Sequence, residues 1–175
     1  GALLLYSGND AATAIAEYVG GSEEAFVNMM NRRAQELMAN GTHFMNPHGL
    51  HDDNHYTTAY DLYLIFNECI KHEDFVNIIQ SEAYTAYYTD VDGNSQEALF
   101  TPTNLYAQGE VDVPENVTIV GGKTGTTDEA GYCLILMEKD SSDNPYISIV
   151  MGASEKPVLY EDMTSLIEAI PSGQQ

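Results

Sequence analysis

The feature that most constrains the fold is a change of hydrophobic period near residue 82. Up to Gln80, outside an irregular segment from Thr42 to Tyr56, apolar residues recur every three or four positions, whereas from Tyr84 onward they alternate or run together in short extended stretches. A chain of this kind builds a helical part first and a sheet afterwards, which is the α+β order of elements. The reading divides into a mainly helical lobe over 1–82, a hairpin with loops over 83–116, and antiparallel strands with a closing helix over 117–171.

Within the first part, Ala2 to Tyr6 reads as the end of a helix. A loop at Ser7-Gly8-Asn9-Asp10 then leads to a second helix from Ala11 to Val19. Ser22, followed by Glu23 and Glu24, is a good start for the next helix, because the hydroxyl accepts from a free amide and the acids meet the positive end of the dipole. Its stripe of Phe26, Met29, Met30, Ala34 and Leu37 is read as core, with Asn40-Gly41 as the stop. Thr58 with Asp61 opens a further helix whose inner face is Ala59, Leu62, Ile65, Phe66, Cys69 and Ile70. A short helix over Asp74 to Gln80 follows. Asp92-Gly93-Asn94 has the chemistry of a hairpin turn. Three strands are expected in the last third, from Val117 to Val120 leading into Gly121 to Thr127, then Tyr132 to Glu138 and Tyr146 to Met151, with a helix over Asp162 to Ile170 and a loose tail from Pro171 to Gln175.

Composition excludes whole classes of function. Against 27 Asp plus Glu stand 6 Lys plus Arg, a formal charge of -21, so the surface repels nucleic-acid phosphates and anionic lipids. No nucleic-acid partner is expected. Apolar runs such as Gly131 to Met137 are far shorter than the roughly 20 residues that span a bilayer. Cys69 and Cys133 read as two buried free thiols. Gly1 to Leu5 carries neither an initiator Met nor a basic segment, and reads as interior sequence. His48, His51 and His55 are spaced by three and four, but Gly49 and Asn46-Pro47 break the helix that would align them, so no metal site is assigned. Asp90 to Asn94 hints at calcium, yet its glycine is fourth and not sixth in the run, and a turn is the better reading.

Two short motifs stand out, Ser7-Gly8-Asn9 between helices and Lys123-Thr124-Gly125 at the end or middle of a strand. Singly each is weak; together, in this order and context, they fit acyl transfer through an activated serine. With Phe44-Met45-Asn46-Pro47-His48-Gly49-Leu50, His55-Tyr56-Thr57-Thr58-Ala59-Tyr60-Asp61, Gly122-Lys123-Thr124-Gly125-Thr126-Thr127 and Ala130-Gly131-Tyr132-Cys133-Leu134, they make the chain resemble the serine D-alanyl-D-alanine carboxypeptidases, the low-molecular-weight penicillin-binding proteins. That family's signatures are Ser-x-x-Lys, Ser-x-Asn and Lys-Thr-Gly. The first is missing here: three residues before Lys71, Lys123, Lys139 and Lys156 stand Glu68, Val120, Leu136 and Ala153. The resemblance is to the C-terminal part of such an enzyme, without the nucleophile.

What the resemblance implies is a β-lactamase/transpeptidase-like fold, here a helical lobe with three C-terminal strands and the early strands absent, within one partial domain over 1–175. It implies that Ser7 joins a proton relay, that Asn9 bonds the substrate peptide, and that Lys123 supplies positive charge. Thr124 would bond the substrate carboxylate beside Gly125, and the Thr126 amide would serve the oxyanion. No cofactor is implied. Family members often grip that carboxylate with an arginine, where Gly152 to Tyr160 offers only Lys156. The implied activity is removal of the terminal D-alanine from peptidoglycan stem peptides through an acyl-enzyme. β-Lactams would be ligands of the full-length protein, outside the cytoplasm at the bacterial envelope. The chain alone is expected to be inactive. Alternatives are a non-catalytic peptidoglycan-binding relative and a β-lactamase-like hydrolase. The run from Tyr146 to Met151, free of proline and charge, would leave an open strand edge for self-association.

Overall fold

The computed structural model describes residues 1–172. Its elements run α1 (Ala2–Tyr6), α2 (Asn9–Gly20), α3 (Glu23–Glu36), α4 (Ala59–Cys69), α5 (Glu73–Ile79), β1 (Tyr84–Thr89), β2 (Ser95–Phe100), α6 (Leu105–Gln108), β3 (Val117–Thr127), β4 (Gly131–Asp140), β5 (Pro145–Ala153) and α7 (Lys156–Glu168). β1 and β2 form an antiparallel hairpin, and β3, β4 and β5 form a second antiparallel sheet in sequence order. Of the tail expected to be loose, 173–175 lie outside the described residues.

Capping follows the side chains. The Ser22 hydroxyl accepts from the Ala25 amide at the start of α3, and the Thr58 hydroxyl from the Asp61 amide at the start of α4. Each such cap contributes about 1 kcal/mol. In the hairpin, Asp90 Oδ1 accepts from the Asp92 and Asn94 amides while Gly93 turns at φ 86°, so that carboxylate closes the turn.

The sheet is covered on both sides, which explains the unbroken apolar run in β4. Leu134 and Leu136 pack with Leu159, Met163 and Ile167 of α7 and with Tyr106 of α6. One residue out of phase, Met137 meets Phe66 of α4 and Ile79 of α5, with Ile135 and Ile147 beside it. Period-two alternation thus delivers one strand to two cores. Among the described residues β5 is an outer strand, paired on one side only.

Several expectations are corrected. α3 stops at Glu36 because Met38 takes the left-handed conformation at φ 63°, three residues before Gly41; Asn40-Gly41 is not the stop. The Met stripe is only partly core: Ala34 is buried, but Met29 is 43% exposed, and Phe26, Met29, Met30 and Phe44 line an open apolar groove of about 530 Å³. α7 begins at Lys156, six residues before Asp162, since Pro157 sits in the first turn, where a missing amide costs nothing. Both cysteines are free and half-buried, not buried.

Candidate active site

Ser7 ends α1 at φ 65° and ψ 38°, a left-handed conformation that costs a non-glycine residue about 1–2 kcal/mol. Two backbone bonds hold it there, Ser7 N to Leu3 O at 3.1 Å and Gly8 N to Ala2 O at 3.1 Å. The turn stands the hydroxyl out of the helix end. Strain of this sort persists where surrounding structure enforces it, and it clusters at functional sites.

Lys123 approaches from the sheet. Upstream of it, Gly121 passes so close to the last turn of α5 that a Cβ would lie 2.2 Å from the Ile79 carbonyl oxygen, and a Cβ on Gly122 would lie 2.0 Å from that of Ile135. Only glycines let β3 run between these carbonyls, and they fix where the next residue emerges. Lys123 Nζ donates to Ser7 Oγ at 2.9 Å and to the Thr124 carbonyl at 2.6 Å. Burial lowers its pKa from 10.5 to about 8. Its charged and neutral forms are therefore both populated just above neutral pH, as a proton-handling group requires.

A cavity of about 280 Å³ opens beside this pair, lined by Ser7, Thr103, Thr124, Gly125, Thr126 and Lys156 among others. The structure thus brings together Ser7, Lys123, Thr124, Gly125 and Thr126. Asn9 is exposed in the first turn of α2, and among the described residues no side-chain hydrogen bond joins it to that group. Lys156, the first residue of α7, lies on the same cavity, where a single ammonium can meet an anion but not in the bidentate manner of arginine. Cys133 also lines it.

Thr103 was not legible as a site residue. Its Oγ1 lies 2.5 Å from Thr124 Oγ1, a contact that depends on a loop closing over 21 residues. The histidines of the 43–56 loop have structural partners. His55 Nδ1 accepts from the Met45 amide at 3.1 Å, His48 Nδ1 accepts from the Leu50 amide at 3.2 Å, and His43 Nδ1 lies 2.7 Å from the Asn54 carbonyl.

A protein-family model described as D-alanyl-D-alanine carboxypeptidase matches residues 1–155. D-alanyl-D-alanine carboxypeptidase DacF of Bacillus subtilis is 33% identical over 166 residues, covering 95% of this chain and 40% of that protein. DacA of Escherichia coli, a protein of the same description, is 34% identical over 148 residues, covering 85% of this chain and 33% of its own length. In three dimensions the chain is similar to the Streptomyces K15 DD-transpeptidase, with a TM-score of 0.84 and 27% identity, over 95% of this chain and 63% of that one. The chain spans well under two thirds of the curated relatives' length.

Proposed function

The chain belongs to the D-alanyl-D-alanine carboxypeptidase family, and we propose that it forms the proton-handling and carboxylate-binding half of a serine active site that trims the terminal D-alanine from peptidoglycan stem peptides. The observation that carries this reading is the 2.9 Å contact of Lys123 Nζ with Ser7 Oγ, made across 116 residues between a helix end and a strand. No Ser-x-x-Lys occurs in the 175 residues, and in this reading the nucleophilic serine is supplied by such a segment upstream.

In this reading the upstream serine attacks the carbonyl carbon between the two D-alanines and gives its proton to the lysine of that segment, which hands it on to Ser7. Ser7, hydrogen-bonded to Lys123, passes a proton to the leaving amine as the C–N bond breaks and D-alanine departs. Water then cleaves the ester and restores the serine. Lys123 keeps positive charge beside the developing anion, the Thr126 amide donates to the oxyanion, and Thr124, flanked by Gly125, receives the terminal carboxylate. Asn9 orients the substrate's peptide group once substrate and upstream segment are present. Such an enzyme works outside the cytoplasm, and no described helix is long and apolar enough to cross a membrane.

The test is incubation with a β-lactam, intact-mass measurement and peptide mapping. A polypeptide holding this chain and the upstream Ser-x-x-Lys segment gains one β-lactam mass, on that upstream serine, and the 175-residue chain gains none. A stoichiometric adduct on Ser7 would make Ser7 the nucleophile and overturn the assignment.

The unpaired side of β5 also supports self-association of the isolated chain, because Tyr146 to Met151 presents backbone donors and acceptors with no proline or charge to block them. Gel filtration with light scattering should show species larger than 19.2 kDa. A monodisperse monomer that unfolds cooperatively would rule this out.

A further inference from the structure

A threonine hydroxyl has one proton, so where Thr124 sends it decides whether Thr124 can bind an anion. Thr124 Oγ1 has a neighbour 2.5 Å away, Thr103 Oγ1, and either atom is able to donate. If Thr124 donated to Thr103, it would turn a lone pair toward an incoming carboxylate. If Thr103 donates, one of the two Thr124 lone pairs is occupied and the Thr124 proton is left free for the cavity.

The segment that carries Thr103 is held from three directions. Its own amide donates to the Leu5 carbonyl of α1 at 3.2 Å, two residues before Ser7. Gln108 Nε2 donates to the Pro102 carbonyl at 2.8 Å, and the Leu105 amide donates to the Tyr160 hydroxyl of α7 at 3.0 Å. Neither Thr103 Oγ1 nor Thr124 Oγ1 has a second hydrogen-bond partner among the described residues, so an anion that accepts the Thr124 proton sets the direction, with Thr103 as the donor. Thr103 and Thr124 line the same cavity as Ser7 and Lys156.

We propose that Thr103 is a positioning residue for the substrate's terminal carboxylate: its hydroxyl donates to Thr124 Oγ1 and thereby commits the Thr124 proton to the cavity. This rests on the reading that Thr124 meets that carboxylate. A chain of two hydroxyls ending on an anion polarises along its length, which strengthens the final bond. Because the gain scales with the acceptor's charge, Thr103 contributes to discrimination between a free carboxylate and a neutral C-terminus.

The test compares an acylated peptide ending in D-Ala-D-Ala with its C-terminal primary amide, in the polypeptide that carries this chain and the upstream segment. The wild type prefers the free acid. Thr103→Val, similar in shape but without a hydroxyl, should lower the acid-to-amide ratio of kcat/KM about tenfold, mostly through KM for the acid. Thr103→Ser should keep the ratio within about twofold of wild type, and neither variant should shift the melting temperature enough to explain the change. A Val variant with the wild-type ratio, or a Ser variant that loses it equally, overturns the role of the hydroxyl. Absence of wild-type turnover on both peptides would overturn the underlying reading and this inference with it.

Discussion

Lys123→Ala is expected to slow acylation by a β-lactam about 100-fold or more, because a positioned charge at a reacting centre typically contributes 10² to 10³. The measurement uses the polypeptide that includes the upstream Ser-x-x-Lys segment. Stability should move the other way. Burial depresses the Lys123 pKa in the fold to about 8, so its ammonium disfavours folding at every pH below 8, and that penalty fades only as pH rises from 8 toward 10.5. Removing it therefore leaves the melting temperature at pH 7 unchanged or higher. Lys123→Arg gives a second discrimination, since guanidinium keeps the charge but does not release a proton in this range. If proton handling matters, arginine fails to restore the rate and the wild-type rate changes through pH 8. An alanine variant within about threefold of wild type would remove Lys123 from the mechanism.

The second large effect concerns Glu138, which no role in catalysis explains. It lies on β4 at 0% exposure, on the side of the strand that carries Leu134 and Leu136, and neither carboxylate oxygen has a hydrogen-bond partner among the described residues. Burial pushes its pKa from 4.5 up to about 8, and the neighbouring Ser148 hydroxyl offsets part of that rise without closing a hydrogen bond. A carboxyl raised in the fold binds its proton more tightly there than in the unfolded chain. Its full contribution is present below pH 4.5, and stability is lost as pH climbs from 4.5 through 8, at about 1.4 kcal/mol per unit. Glu138→Gln keeps the shape and removes the charge. At pH 7 it should stabilise the chain by about 3 kcal/mol, roughly 6–12 °C in melting temperature for a domain of this size, and the advantage should vanish near pH 4. Equal melting of the two proteins at pH 4 and at pH 8 would show that Glu138 reaches water in the fold.

Local chemistry made much of the fold legible. Ser22 and Thr58 announce the starts of α3 and α4 through bonds made within three residues. The hairpin at Gly93 and the three C-terminal strands are carried by turn residues and by period. The errors fall where one residue type has two meanings. Pro157 breaks a helix interior but suits a first turn, which hid the start of α7, and Met38 occupies a left-handed position that composition assigns to glycine. Glu138 shares its parity with Leu134 and Leu136, so a strict alternation argument places it inside, against its charge. The pairing of Ser7 with Lys123 that builds the candidate site was legible through paired motifs and family resemblance and not through physics, for nothing local to either residue encodes their contact. Thr103 had no such motif, and its role emerges only when the 101–105 segment is seen against β3.

Release of D-alanine is the measurement that tests the functional reading most directly. A polypeptide that joins this chain to the upstream Ser-x-x-Lys segment is incubated with acylated peptides ending in D-Ala-D-Ala and in D-Ala-L-Ala, and the freed amino acid is quantified. One equivalent of D-alanine per peptide cleaved from the first, with little release from the second and loss of activity after β-lactam treatment, is the predicted result. A folded protein that releases nothing, or that cleaves both peptides alike, would contradict it.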